Sequence, residues 1–143
     1  MAASAAKPSA LFVCVANSFR SQMAEAVARS LTNGEWEVWS AGSAPSGHVH
    51  PVARQLMAEL GLDLATHRSK GLGEIPARRW DYVVTMGCGD VCPSANAVRR
   101  IDWQIPDPVG LHLEDARRIR DHVVGLVREL ITQHTERARS SRD

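Results

Sequence analysis

Cys14 closes the apolar run Leu11-Phe12-Val13-Cys14, and Arg20 follows it after five residues. A helical pattern begins near Ser21, so Val15, Ala16, Asn17, Ser18 and Phe19 are expected to form a strand-to-helix turn. Backbone N–H groups in such a turn converge and bind tetrahedral oxyanions. The helix N-terminus and a guanidinium both favour negative charge, the setting in which a thiol acts as a thiolate nucleophile. Val15 to Arg20 would supply the N–H groups, Arg20 a two-pronged fork for two oxygens, and the Ser21 hydroxyl a hydrogen bond to the sulfur. The pattern brings a nucleophile and an anion together, which is chemistry when the two are meant to react.

Two other segments carry reactive groups. Asp107, between Pro106 and Pro108-Val109-Gly110, lies in a loop where a carboxyl could protonate an oxygen leaving under attack by the thiolate; Asp, Pro and Gly are also ordinary turn formers. Cys88 and Cys92 flank Gly89-Asp90-Val91. They read as a redox relay in which Cys88 attacks the Cys14 sulfur and Cys92 then attacks Cys88, by successive thiol–disulfide exchange. A zinc half-site completed by His48 and His50, or two small buried hydrophobes, are the other readings of the pair.

The elements that must position these groups follow from the apolar pattern. Leu11 to Val15 reads as a strand buried on both faces. Met23, Ala24, Val27, Ala28 and Leu31 give helical spacing over Ser21 to Thr32, with Asn33-Gly34 as the stop. Glu35 to Ser40 alternates like a strand, and Ala41 to His50 is a loop. Pro51 opens a helix that Gly61 closes. Asp81 to Met86 and Val98 to Trp103 read as strands, and Leu113 to Gln133 as the last helix. The arginines at 117, 118 and 120 are expected on its solvated face, and the four tryptophans in packing roles. The predicted architecture is α/β in three layers: a central four-stranded parallel sheet with helices on both faces. Ligands in such sheets bind at the carboxyl ends of strands, where Cys14, Cys88 and Asp107 all fall.

The chain of 143 residues suits a single domain, 1–143, with 1–9 and 136–143 expected as flexible tails. A formal net charge of +1 argues against a nucleic acid or a membrane surface as partner. No stretch is apolar enough to span a bilayer, and Met1 to Ala10 has no apolar signal core, so a cytoplasmic location is expected. Three cysteines, an odd number, fit a reducing compartment better than a disulfide scaffold.

The segment from Cys14 through Arg20-Ser21-Gln22-Met23-Ala24-Glu25 resembles the active-site signature of the thioredoxin-coupled arsenate reductases, which share the low-molecular-weight protein tyrosine phosphatase fold. The resemblance continues through Ser40-Ala41-Gly42, Val84-Thr85-Met86-Gly87-Cys88 with Cys92-Pro93, and Asp107-Pro108-Val109-Gly110. It covers roughly Leu11 to Leu130. It implies that the Cys14 thiolate attacks arsenate while Asp107 protonates the departing hydroxyl. Cys88 then attacks Cys14, arsenite leaves with two electrons, and a Cys14–Cys88 disulfide remains. Cys92 moves the disulfide to Cys88–Cys92, which thioredoxin reduces. No bound cofactor is implied, and a monomer is expected.

Some members of that family hold potassium beside the cradle through residues matching Asn17, Glu25 and Ser40, plus an aspartate whose position here is Lys70. The Lys70 ammonium is therefore expected in the cation's place, paired with Glu25, with no metal. The relay cysteines are also closer together than in some members. Three other functions compete. A tyrosine phosphatase of this fold is disfavoured because Val109-Gly110, not aromatic residues, follow Asp107-Pro108. An arsenate–mycothiol transferase would not need Cys92. An arsenite-sensing module would use the three thiols as ligands.

Overall fold

The computed structural model describes residues 7–87 and 95–140. Cys88 and Cys92 lie outside the described residues. The elements run β1 (Ser9–Cys14), α1 (Arg20–Thr32), β2 (Glu37–Gly42), α2 (Pro51–Ala58), a one-turn 3-10 helix (Leu72–Glu74), β3 (Trp80–Thr85), β4 (Ala97–Asp102) and α3 (Leu113–Ser140). The strands form one parallel sheet in the order β2-β1-β3-β4. β1 therefore has β2 on one side and β3 on the other, and the loop leaving it emerges where the chain reverses its direction across the sheet, the usual ligand position in such folds.

Every residue of β1 is buried, as expected of a strand covered on both faces. Its alternation sends Ala10, Phe12 and Cys14 to one core and Leu11 and Val13 to the other. The first core takes the buried residues of α1, α2 and α3. The second, smaller core lies under the segment that includes the 3-10 turn, with Leu72 and Ile75 packed on Trp80 and Val83. Trp80 and Trp103 are buried, while Trp36 stacks on Tyr82 with ring centroids 5.9 Å apart.

Three expectations need correction. Ser9 is no tail residue: it begins β1, and its N–H and hydroxyl both donate to Asp81 Oδ2. The last helix runs on past Gln133, so 136–140 are helical, with Arg137 lying over the Tyr82 ring and donating to its hydroxyl. Arg120 is buried. It donates to the Leu56 carbonyl in the last turn of α2 and pairs with Glu59, which Arg117 also grips. A guanidinium there satisfies carbonyls that a helix end leaves without partners and counters their partial negative charge.

Candidate active site

The turn from Cys14 to Arg20 is shaped by where its carbonyls go. Ser43 N–H donates to the Cys14 carbonyl (3.2 Å), Ala44 to Val15 (2.8 Å), Ser46 to Ala16 (3.0 Å), His50 to Ser18 (2.9 Å) and Met23 to Phe19 (3.0 Å). The Ser69 hydroxyl also donates to Ala16, and Gln22 Nε2 to the Asn17 carbonyl at 3.1 Å. Each carbonyl from 14 to 19 is thus held from outside the turn. The N–H groups of Val15 to Phe19 have no acceptor among the described residues. Backbone donors are normally paired, so five successive free ones mark a binding site for an acceptor. α1 has no side-chain cap at its N-terminus and no acidic residue in its first turn, so its dipole also faces the turn uncancelled.

Asn17 makes the reversal possible. It adopts φ = 49°, a left-handed conformation that asparagine tolerates better than most residues. Gly42 makes the approach possible. It pairs with Cys14 across β1 and β2, and a Cβ there would sit 2.5 Å from the Val15 carbonyl oxygen and 3.0 Å from Asn17.

Cys14 is buried at the floor of the turn, with its Sγ 2.9 Å from Ser21 Oγ. Arg20 opens α1 and donates from Nη1 to the Ile105 carbonyl at 3.0 Å. Its other N–H groups have no acceptor among the described residues and can take an oxyanion. Ile105 begins the loop carrying Asp107, which is exposed and closes a local turn by accepting the Val109 N–H at 3.1 Å. The structure thus brings Cys14 and Ser21 together, places Arg20 at the end of the turn where α1 opens, and ties the Asp107 loop to Arg20 through Ile105.

A buried polar network lies beneath. Asn17 Nδ2 donates to Ser21 Oγ (2.8 Å) and Ser40 Oγ (2.9 Å), and Asn17 Oδ1 accepts the Lys70 N–H (2.9 Å). Ser40 in turn donates to Glu25. Lys70 Nζ lies 3.5 Å from Glu25 Oε1 and 3.4 Å from both Ser40 Oγ and the Arg68 carbonyl. A carboxylate, a hydroxyl and a carbonyl are the donors a monovalent cation would take, and the lysine amine already stands among them. Burial pushes the Lys70 amine below the usual lysine range, against the pull of Glu25. Arg29 also pairs with Glu25, at 2.6 Å. Among the described residues no cluster of three or more His, Cys, Asp or Glu side chains could hold a metal ion.

Some of this site has no counterpart in the sequence reading. The loop at 43–50, which holds the turn from outside, acts through backbone N–H groups that leave no side-chain signature. Gln22, bonded to Asn17, Arg68 and His67, is a second omission; Glu25 and Arg29 share its side of the helix, so its polarity did not set it apart.

Comparison with known proteins places this geometry. Residues 9–140 match the low molecular weight phosphotyrosine protein phosphatase family. The chain is 39% identical over 126 residues to the glutaredoxin arsenate reductase of Synechocystis, covering 86% of this chain and 95% of that protein. It is 35% identical over 121 residues to arsenate reductase 2 of Staphylococcus epidermidis, covering 82% and 91%. Among solved structures, an arsenate reductase in the phosphate binding state superposes with a TM-score of 0.81 at 37% identity, covering 88% of this chain and 98% of that one. The thioredoxin-dependent arsenate reductase of Corynebacterium glutamicum gives 0.73 at 32%, covering 91% and 63%. No helix among the described residues is long and apolar enough to cross a membrane. With this turn after its first strand and its similarity to these proteins over nearly its whole length, the chain belongs to the low molecular weight phosphotyrosine protein phosphatase family and, within it, to the arsenate reductases.

Proposed function

We propose that the chain reduces arsenate to arsenite through Cys14, Cys88 and Cys92. The observation that carries the reading is a buried Cys14 at the start of a turn whose N–H groups from Val15 to Phe19 have no acceptor among the described residues, in a chain that also possesses a second and a third cysteine after β3. Arsenate enters the turn, its oxygens taken by the N–H groups of Val15 to Arg20 and by the Arg20 guanidinium. The Cys14 thiolate forms a bond to arsenic while one oxygen leaves as water, protonated by Asp107. Cys88 as thiolate attacks the Cys14 sulfur. The S–As bond breaks with its electron pair passing to arsenic, so As(V) becomes As(III) and a Cys14–Cys88 disulfide forms. Cys92 attacks Cys88, Cys14 leaves as thiolate, and the Cys88–Cys92 disulfide is returned to dithiol by an external dithiol protein.

Thioredoxin is the proposed reductant. The named reductants of the two relatives, glutaredoxin and thioredoxin, make both worth assaying. Potassium has no role, because the Lys70 amine stands between Glu25, Ser40 and the Arg68 carbonyl. Under this proposal the chain works in the cytoplasm as a monomer; the near-neutral net charge supports only the part of it that excludes nucleic acid and membrane surfaces as partners.

The test is arsenate-dependent NADPH oxidation with thioredoxin and thioredoxin reductase, for wild type and Cys92→Ser. Turnover in wild type and none in the variant is expected. Turnover that survives Cys92→Ser would replace the relay with a small-thiol route. Hydrolysis of an aryl phosphate without arsenate reduction would make the protein a phosphatase.

A further inference from the structure

Gly87 ends the stretch after β3 and adopts φ = 76°. A Cβ built on it would lie 2.8 Å from Arg20 Nη1 and 3.5 Å from the Ile105 carbonyl oxygen. Those are the two partners of the 3.0 Å hydrogen bond that holds the guanidinium. Gly34, Gly47, Gly61 and Gly110 share the positive φ, yet a Cβ on any of them would meet nothing within 4 Å. The left-handed backbone explains a glycine at those four positions. At Gly87 a second demand is added: the arginine lies where a side chain would begin.

We propose that Gly87 is a positioning residue for the oxyanion site. Its bare α-carbon lets the Arg20 guanidinium seat against the Ile105 carbonyl, and that seating sets the affinity of the turn for tetrahedral oxyanions. The proposal rests on the reading of the Cys14–Arg20 turn as an oxyanion site. A contact of 2.8 Å between carbon and nitrogen forces one of them to move. The guanidinium is the far end of a flexible side chain and moves more easily than backbone. A Cβ at 87 therefore displaces Arg20 from its bond to Ile105 and leaves the fold in place. Arg20 then meets the oxyanion from a shifted position, and a forked contact with two oxygens depends on alignment.

The experiment measures inorganic phosphate binding by calorimetry, and KM and kcat for arsenate, in wild type, Gly87→Ala, Gly87→Asn and Gly61→Ala. Asparagine tolerates the left-handed backbone, so Gly87→Asn carries the Cβ with less strain if Gly87→Ala folds poorly. Gly61→Ala at φ = 78° imposes the same strain with no Arg20 in reach. Both Gly87 variants are expected to bind phosphate about tenfold more weakly and to raise KM more than they lower kcat, as for loss of a contact made alike in ground and transition states. Gly61→Ala is expected to bind as wild type does. In an Arg20→Ala background, Gly87→Asn should cost no further affinity. Phosphate affinity unchanged in the Gly87 variants, an equal loss in Gly61→Ala, or a full additional loss in the Arg20→Ala background would overturn the proposal. Wild-type protein that binds phosphate but does not reduce arsenate would instead count against the arsenate reductase reading alone.

Discussion

Asn17 directs the hydroxyl proton of Ser21 toward Cys14. The orientation of the Asn17 amide is set by Lys70, whose backbone N–H can only donate and so must meet Oδ1. Nδ2 then donates to Ser21 Oγ and Ser40 Oγ. Ser21 Oγ, having accepted there, has its own proton left for the sulfur 2.9 Å away. A hydroxyl that donates to a thiolate stabilises the charged nucleophile before substrate arrives.

Ser21→Ala removes that donor. A hydrogen bond to a charged group is worth about 1.5–3 kcal/mol, so the rate of Cys14 alkylation at neutral pH and kcat for arsenate are both expected to fall roughly 10- to 100-fold. Iodoacetamide kinetics with Cys88 and Cys92 changed to serine isolate the Cys14 reaction. Unchanged alkylation in Ser21→Ala would mean that the helix N-terminus and the free N–H groups alone hold the thiolate.

Gly42→Ala is expected to damage the turn itself. The added methyl would meet the Val15 carbonyl oxygen at 2.5 Å, and that atom is backbone, already bonded to Ala44. Overpacking of this kind costs about 1–3 kcal/mol, so a lower Tm is expected together with loss of phosphate-induced stabilisation. A variant that melts lower yet keeps the full phosphate shift would show that the turn tolerates the displacement.

Lys70 offers a test by reversal. The family resemblance implies an aspartate at the matching position in members that hold potassium. Lys70→Asp would place a second carboxylate beside Glu25 and Ser40, and like charges in a buried site disfavour each other unless a cation joins them. Potassium is therefore expected to raise the Tm and the arsenate turnover of Lys70→Asp and to leave wild type unchanged, with sodium as the control. A potassium response in wild type would place a cation where the amine now stands.

The sequence exposed the parts of this site that depend on neighbours along the chain. β1 showed as an unbroken apolar run, α1 as a helical stripe, and Cys14 as a thiol at the junction between them. Ser21 is the second residue of α1, close enough to be read as the partner of the sulfur. The parts that depend on distant segments stayed hidden. The 43–50 loop holds the carbonyls of the turn through backbone N–H groups, with the His50 ring beside Phe19 as its side-chain contact. Arg120 finds Glu59 from 61 residues away; its place on the stripe of Ala116, Val123 and Val127 separates it from the exposed Arg118, but an arginine among apolar residues does not name the distant carboxylate it pairs with. The helix past Gln133 looked like a frayed tail because its residues are polar, yet Arg137 is anchored on Tyr82 from the far side of the core.

That hidden ion pair gives the acid limb of stability a specific carrier. Arg117, and after it Arg120, hold the Glu59 carboxyl down to about 2, from an ordinary value of 4.5. The folded chain then binds this proton less readily than the unfolded one, so unfolding takes up a proton as the solution is acidified. The stabilisation is fully present above pH 4.5 and is lost as pH falls toward about 2. Glu59→Gln cannot titrate there. The Tm of wild type is expected to exceed that of Glu59→Gln at neutral pH, with the gap closing between those two values. Carboxylates common to both proteins cancel in the difference. A gap that stays constant down to pH 2 would mean that Arg117 and Arg120 hold Glu59 through packing and neutral hydrogen bonds, with its charge contributing nothing to the attachment of α2 to α3.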